Sequence, residues 1–198
     1  MAVTAARAGK RVLLLDADPL GGRLDLMLGG RQLSRPGPGE LVLLGLDRID
    51  PLGGLPAGAI VATLDAGRRE RDLVVVDLPR HLGEAGAAAL RGADRAYVVV
   101  PAELRACLAA GQVAALARPH SRRLSTVIRD ASADTLTEDD VTRTVRLPTA
   151  GAYRSEPALR ASLARGEVPS VDGPGPLADL CRRLLAVPPG CGTEGAAA

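Results

Sequence analysis

The residues best placed to do chemistry are carboxylates at the ends of apolar runs. Asp16 closes the run Arg11-Val-Leu-Leu-Leu-Asp16, and Asp18 follows two residues later, ahead of Pro19-Leu20-Gly21-Gly22. An aspartate leaving a buried strand sits at the carboxyl edge of its sheet, where open α/β folds bind ligands. A second carboxylate two residues on can share a metal-bound water or orient an attacking one. Gly21 and Gly22 let the backbone approach a phosphate or take a positive φ. A capped strand-to-helix turn uses the same residue types, so the segment alone leaves both readings open. Asp77 adds weight to the chemical one. It ends Leu73-Val-Val-Val-Asp77, just before Leu78-Pro79, and in a parallel sheet it falls on the same edge. Aspartates placed this way hold Mg²⁺ near a triphosphate.

Elements of a parallel α/β fold are expected to position these groups. Val3 to Arg7 reads as a helical piece stopped by Gly9, a residue type that closes helices. The run from Arg11 to Asp16 is uniformly apolar up to its carboxylate, as befits a strand covered on both faces. Leu24 to Leu28 reads as a short helical piece, and Arg31 to Glu40 is Gly/Pro-rich loop. Further strands are expected at 41–44, 73–77, 96–100, 124–128 and 147–152. Helices are expected at 56–69, 83–90, 103–117, 157–165 and 177–185. Thr137-Glu-Asp-Asp140 forms a capping box, with Leu136 and Val141 as its hydrophobic staple. Ser155 is expected to cap the helix from Pro157, and Gly166 to close it. Alternating elements of this size give right-handed βαβ units. The expectation is α/β: one mostly parallel sheet with helices on both faces, a single domain over residues 1–186, and a disordered tail over 187–198.

Composition narrows the partners. Of the 198 residues 46% are hydrophobic and 1% aromatic, so the core is built from Leu, Val and Ala. Tyr97 and Tyr153 are the two aromatic residues, too few for a base-stacking platform. The formal charge is +2 with no basic block, which argues against sequence-specific nucleic acid as a partner. Cys107, Cys181 and Cys191 show no CxxC spacing and fit a reducing compartment. No apolar run approaches the length of a membrane span. The stripe Leu177, Leu180, Cys181, Leu184 and Leu185 suits core packing better than a membrane surface.

Several of these segments carry a family resemblance. Arg11-Val-Leu-Leu-Leu-Asp-Ala-Asp-Pro-Leu-Gly-Gly-Arg-Leu-Asp-Leu-Met-Leu-Gly29 resembles the second signature of the ParA/MinD ATPases. Within them it looks like the actinobacterial septum site-determining, CpaE/TadZ-like branch. Asp72-Leu-Val-Val-Val-Asp77-Leu-Pro79 resembles that family's Walker B strand and switch II, and Tyr97-Val-Val-Val-Pro101-Ala-Glu103-Leu its next strand. Gly151-Ala-Tyr-Arg154 with Pro157 to Glu167 resembles the branch's C-terminal region. The likeness runs over residues 1–186 and is loosest between Arg31 and Gly67. It implies a P-loop NTPase-like fold of the SIMIBI type with ATP and Mg²⁺ as cofactors. Asp16 and Asp18 then correspond to switch I catalytic carboxylates, and Asp18 and Asp77 lie on the metal side. Gly21, Gly22, Asp77, Pro79, Pro101 and Glu103 border the nucleotide. Where the family often has an asparagine after the strand ending at Ile128, this chain has Arg129-Asp130.

The resemblance also marks a departure. Family members open on a strand, a glycine-rich lysine-bearing phosphate loop and its helix, whereas residues 1–198 contain no Gly-Lys-Ser/Thr segment. Lys10 is the lone lysine, at the wrong end of the first helix. The first strand and phosphate loop are therefore expected to be missing, as in an N-terminally truncated frame, with the apolar strands Val12 to Leu15 and Val74 to Val76 left beside the vacancy. No ATP hydrolysis is expected from such a chain, and nucleotide binding is expected to be weak or absent. Two functions compete: an ATPase homologue positioning septation or pilus/secretion machinery, and a nucleotide-independent interaction protein on the same fold. Either acts as a homodimer or with a protein partner, in the cytoplasm or peripherally at the inner membrane.

Overall fold

The computed structural model describes residues 1–18, 24, 39–45, 56–132, 134–165 and 175–188. Helix α1 (Ala2–Arg7) ends in the pattern its glycine foretold: the Lys10 amide donates to Ala5 O at 3.1 Å and the Gly9 amide to Ala6 O at 3.0 Å. Gly9 takes φ 87° to make that closure. Strand β1 (Arg11–Asp16) follows and is buried from Val12 to Asp16. Its side chains alternate between two helical layers, as a strand's period of two demands. Val12 and Leu14 pack with α1, while Leu15 packs with Ile60 and Leu64 of α2 (Ala57–Glu70). The expected cover on both faces is present.

Two further strands flank β1, both parallel to it: β2 (Glu40–Gly45) and β3 (Leu73–Asp77). Helix α3 (Gly83–Gly92) then returns the chain to β4 (Ala96–Pro101). Helix α4 (Leu104–Ala117) and a 3₁₀ turn lead to β5 (Leu124–Arg129), α5 (Glu138–Val145) and β6 (Thr149–Tyr153). The chain continues through α6 (Pro157–Ala164) and α7 (Pro176–Ala186). Strands β4, β5 and β6 pair in parallel.

The single expected sheet is instead two sheets of three strands, ordered β2-β1-β3 and β4-β5-β6. A second correction concerns which strands stand at the break. Val12 to Leu15 is a centre strand hydrogen-bonded on both sides, so the strands facing the break are β3 and β4. Their burial shows it: β3 is half-buried through its apolar residues, and Val99 of β4 is 58% exposed. The halves are joined by packing. Leu78, just past β3, touches the core cluster of α2 and α3 and also the cluster containing Val100 and Ala102. Met1 of the first half packs with Tyr97 and Val127 of the second.

The capping box of α5 is formed, with the Asp140 amide donating to Thr137 Oγ1 at 3.2 Å and the Thr137 amide to Asp140 Oδ2 at 3.1 Å. Leu136 and Val141 share one cluster, as a staple should. Ser155 does otherwise than expected, its hydroxyl donating to Asp130 at 2.6 Å. Leu180, Cys181 and Leu184 of α7 are buried, so the apolar stripe belongs to the core. Gly151, at φ 155°, sits where an added Cβ would meet Leu180 at 2.6 Å, which lets α7 lie close on β6. Residues 25–38, Gly166 and the tail beyond Pro188 lie outside the described residues, and with them most of the expected helical piece ending at Leu28.

At the amino end of β1, Asp72 accepts from the Arg11 amide at 2.8 Å and from its guanidinium Nε and Nη2 at 3.3 and 2.8 Å. These bonds hold the Asp72 carboxyl down at about 2. A depressed acid stabilises the fold above its unfolded pKa and loses that contribution as it is protonated. Thermal melts of Asp72→Asn and wild type are expected to differ at neutral pH and to converge as pH falls from 3.8 to about 2. Curves that stay equally separated below that window show that the carboxylate charge is not what fastens this end.

Candidate functional site at the carboxyl edge

Parallel pairing puts Asp16 directly opposite Asp77. Adjacent strands lie about 4.8 Å apart, so two carboxylates leave the first sheet side by side. The Ala17 amide donates to Asp77 O at 2.9 Å, carrying the ladder one step past the strand ends. Asp16 is 9% exposed, and its carboxylate turns back to the chain that follows it. It accepts from the Asp18 amide at 3.3 Å and the Leu24 amide at 3.0 Å. That is the turn-stabilising use of an aspartate, and it fixes where Asp18 stands. Asp77 is the open member of the group. Partial burial pushes its carboxyl above the usual range, and the charges of Asp16 and Asp18 add to the rise. Both causes disfavour the ionised form.

Of the remaining residues marked out by sequence, Pro79 is half-buried two positions beyond Asp77. Pro101 ends β4 across the break, and Glu103 caps α4, its amide donating to Pro101 O at 2.7 Å. Leu78 packs in the same cluster as Val100 and Ala102, which places the two carboxyl ends together. Gly21 and Gly22 lie outside the described residues. Among the described residues no three His, Cys, Asp or Glu side chains converge to hold a metal ion by themselves. A hard cation here therefore needs water or a ligand's oxygens to complete its shell. Residues 1–198 contain no lysine-bearing glycine loop of the kind that cradles a triphosphate.

The second sheet adds features that sequence did not point out. Asp130 follows β5 at φ 62°, and its carboxylate accepts from the Ser155 amide and hydroxyl, each at 2.6 Å. Its own amide donates to Tyr153 O at 2.9 Å, and its carbonyl accepts from the Thr135 hydroxyl at 3.0 Å. The tips of β5 and β6 are thereby tied together. Beside them lies an open groove of about 390 Å³ whose walls include Tyr153, Arg154, Glu138, Asp179 and Arg183. These side chains come from separate segments with no shared motif, so no local pattern announces them. The position noted for its missing asparagine carries the one sequence signal, and the structure gives Asp130 a structural partner in Ser155.

Comparison with known proteins agrees with this architecture. No family model matches the chain. Two uncharacterized proteins from strains of Mycobacterium tuberculosis are 35% identical over 219 residues; the match takes in 100% of this chain and 62% of theirs. The chain thus spans under two thirds of the length of these curated relatives. Among solved structures, the MinC:MinD cell division protein complex of Aquifex aeolicus superposes with TM-score 0.73 at 24% identity, covering 94% of this chain and 89% of that one. A ParA family ATPase from Chlorobium tepidum gives 0.74 at 15%, covering 92% and 91%. The septum site-determining protein MinD of Pyrococcus horikoshii, complexed with Mg-ADP, gives 0.68 at 15%, covering 86% and 79%. The fold is that of the ParA/MinD P-loop ATPases.

Two substitutions separate the carboxylates. Asp16→Ala leaves two amides without their acceptor and is expected to cost about 1–3 kcal/mol of stability, with Asp16→Asn losing less because it keeps one carbonyl oxygen. Asp77→Asn is expected to act in the opposite direction at neutral pH. A raised acid stabilises only while protonated, so charge at Asp77 burdens the fold above its folded pKa. Since solvent screens this site, the gain in Tm is expected to be on the order of 1–2 °C. It should vanish at pH values below the ordinary carboxylate range. Thermal melts across pH decide it: an Asp77→Asn variant less stable than wild type at pH 7 refutes the repulsion argument.

Proposed function

We propose that this chain is a ParA/MinD-like protein of the actinobacterial septum site-determining, CpaE/TadZ-like branch, serving septum placement or the positioning of pilus or secretion machinery. The observation that carries the reading is the Asp16–Asp77 pair, with Asp18 beside it, at the carboxyl edge of a fold that superposes on MinD and ParA ATPases. In this reading Asp16 and Asp18 are the switch carboxylates, with Asp18 and Asp77 on the Mg²⁺ side of the nucleotide. Gly21, Gly22, Pro79, Pro101 and Glu103 line its remaining border. ATP and Mg²⁺ are the cofactors of the complete site. The resemblance to a MinD solved with Mg-ADP supports that assignment.

Residues 1–198 alone do not complete the site in this reading, because they contain no Gly-Lys-Ser/Thr segment to hold the phosphates. The working mode of this portion is association, as a homodimer or with a protein of the division or secretion machinery. Leu104, Leu108 and Leu116 support it, since α4 carries these exposed leucines on its surface. One solved relative is itself in a complex with MinC. No described helix is long and apolar enough to cross a membrane. We place the protein in the cytoplasm or peripherally at the inner membrane.

Isothermal calorimetry with MgATP tests the reading. Residues 1–198 are expected to show no affinity in the micromolar range and no phosphate release above background. Micromolar binding that Asp77→Ala abolishes overturns the incomplete-site argument. Phosphate release unaffected by Asp18→Ala and Asp77→Ala signals a contaminant and leaves the expectation standing.

A further inference from the structure

We infer that copies of this chain associate head to tail, an arginine ridge at the amino edge of the second sheet docking on the acidic start of α5 in the next copy. The contact needs no nucleotide. It rests on the association mode proposed above and assigns it to one pair of surfaces.

In a parallel α/β fold each helix carries the chain back to the amino edge, so helix ends gather there. Helices α3, α4 and α5 close around Arg91, Arg118 and Arg146, all exposed. These arginines form a connected row. Arg91 Nη1 lies 3.3 Å from His120 Nδ1, and Arg118 Nη2 donates to Arg146 O at 2.7 Å. Arg122, two residues past His120, is exposed beside them. A cation at a helix C-terminus is favourable in itself, which accounts for each position singly. It does not account for the missing counter-charges. An imidazole and a carbonyl hold Arg91 and Arg118, and among the described residues none of the four arginines has an ion pair. Arg91 and Arg118 are thus positioned with their charge uncompensated and most of their five donors to spare.

The ridge is short. Along the first sheet the amino edge neutralises itself through the Arg11–Asp72 and Arg71–Glu40 pairs. A nucleic-acid duplex carries a charge about every 1.7 Å of its axis and asks for a longer basic track. A small group of carboxylates fits better, and the chain carries one at its opposite edge, where α5 begins. Asp140 is occupied there by the capping box and by Arg143. Glu138 and Asp139, with Asp134 just before them, are exposed and have no ion pair among the described residues.

The eight residues of α5 hold this acidic group about 12 Å from Arg146. That exceeds the screening length of about 8 Å at physiological salt, so the two ends do little to neutralise each other within one copy. They meet when copies stack along the strand direction. Because the surfaces differ, the contact is heterologous and repeats from copy to copy instead of closing as a two-fold pair. A net charge of +2 sets little overall repulsion against it.

Sedimentation velocity of the 198-residue chain without nucleotide tests this. Its weight-average mass is expected to exceed the monomer at about 25 mM NaCl and to fall to it by about 300 mM, as screening tightens. Arg91→Glu with Arg122→Glu, and separately Glu138→Lys with Asp139→Lys, are each expected to stay monomeric at low salt. Mixed in equal amounts, the two reversed proteins are expected to associate again, since every end then meets its opposite. Neutral versions, Arg91→Gln with Arg122→Gln and Glu138→Gln with Asp139→Asn, decide the matter if a reversal unfolds the chain. Each is expected to weaken association about tenfold, and unchanged association in both overturns the inference. A wild type that is monomeric at low salt overturns it, as does a monomeric mixture of reversed proteins that circular dichroism shows to be folded. Association that ignores salt and is lost in Leu104→Gln with Leu108→Gln overturns it too, while leaving the broader association reading intact. A short DNA duplex bound by wild type and not by the ridge variant, with self-association untouched by either reversal, gives the ridge to nucleic acid and is equally fatal.

Discussion

The parallel ladder through β1 is the constraint on which the rest of the molecule depends. Residue for residue it sets Val12 opposite Leu73 and Asp16 opposite Asp77, while its other edge pairs with β2. A slip of one position would turn every side chain of β3 to the wrong face. It would exchange the cluster of Leu73 and Val75 beneath α1 for that of Val74 and Val76 against α2. Apolar contacts on both faces therefore hold the register that brings the carboxylates together. The Arg11–Asp72 pair fastens the opposite end. Being exposed, that pair adds alignment more than energy.

Cohesion between the two half-sheets has a different physical basis. A continuous sheet would transmit order through hydrogen bonds, whereas here helices and a few shared side chains do so. Helices α2 and α3 pack together, α1 meets α7, and Arg95 reaches from the start of β4 to the Leu184 carbonyl at 3.3 Å. Such contacts tolerate small relative movements that a ladder would forbid. The half-sheets are thus individually firm, with β1 and β5 buried along their lengths. The region between them adjoins Asp77 and Pro101, so packing there bears on the carboxyl edge.

How much of this was legible in the sequence depended on whether the signal was local. Apolar runs ending in aspartate located β1 and β3, and Thr137-Glu-Asp-Asp140 announced the start of α5. Gly9 marked the end of α1 because a left-handed closure needs no Cβ. Sheet membership was beyond reach, since nothing in Val12 to Leu15 says whether it is a centre or an edge strand. Both kinds of apolar run look alike until pairing is known, and the expected neighbours of the break were half wrong for that reason. Ser155 was read as a cap because it stands two residues before a helix. The partner that claims it, Asp130, is 25 residues away in sequence. The groove near Tyr153 likewise draws on residues that only the folded chain assembles. Composition argued against some partner classes but identified none.

The distribution of charge gives the edge its chemical character. Asp16, Asp18 and Asp77 make the end of the first sheet acidic, and the rise in the Asp77 carboxyl shows that its surroundings do not neutralise it. Such an edge suits water or a cation and repels a bare phosphate. The lone lysine cannot correct this. Lys10 precedes β1 while Asp16 ends it, and six residues of strand span about 20 Å. That separation is about twice the Debye length at physiological ionic strength. Arginines on the second sheet stand nearer to the groove, but Arg154 and Arg183 share it with Glu138 and Asp179. Among the described residues, the carboxyl edge of the first sheet therefore offers an anion little net attraction. The charge of the three carboxylates has the right sign for a cation and the wrong one for a phosphate.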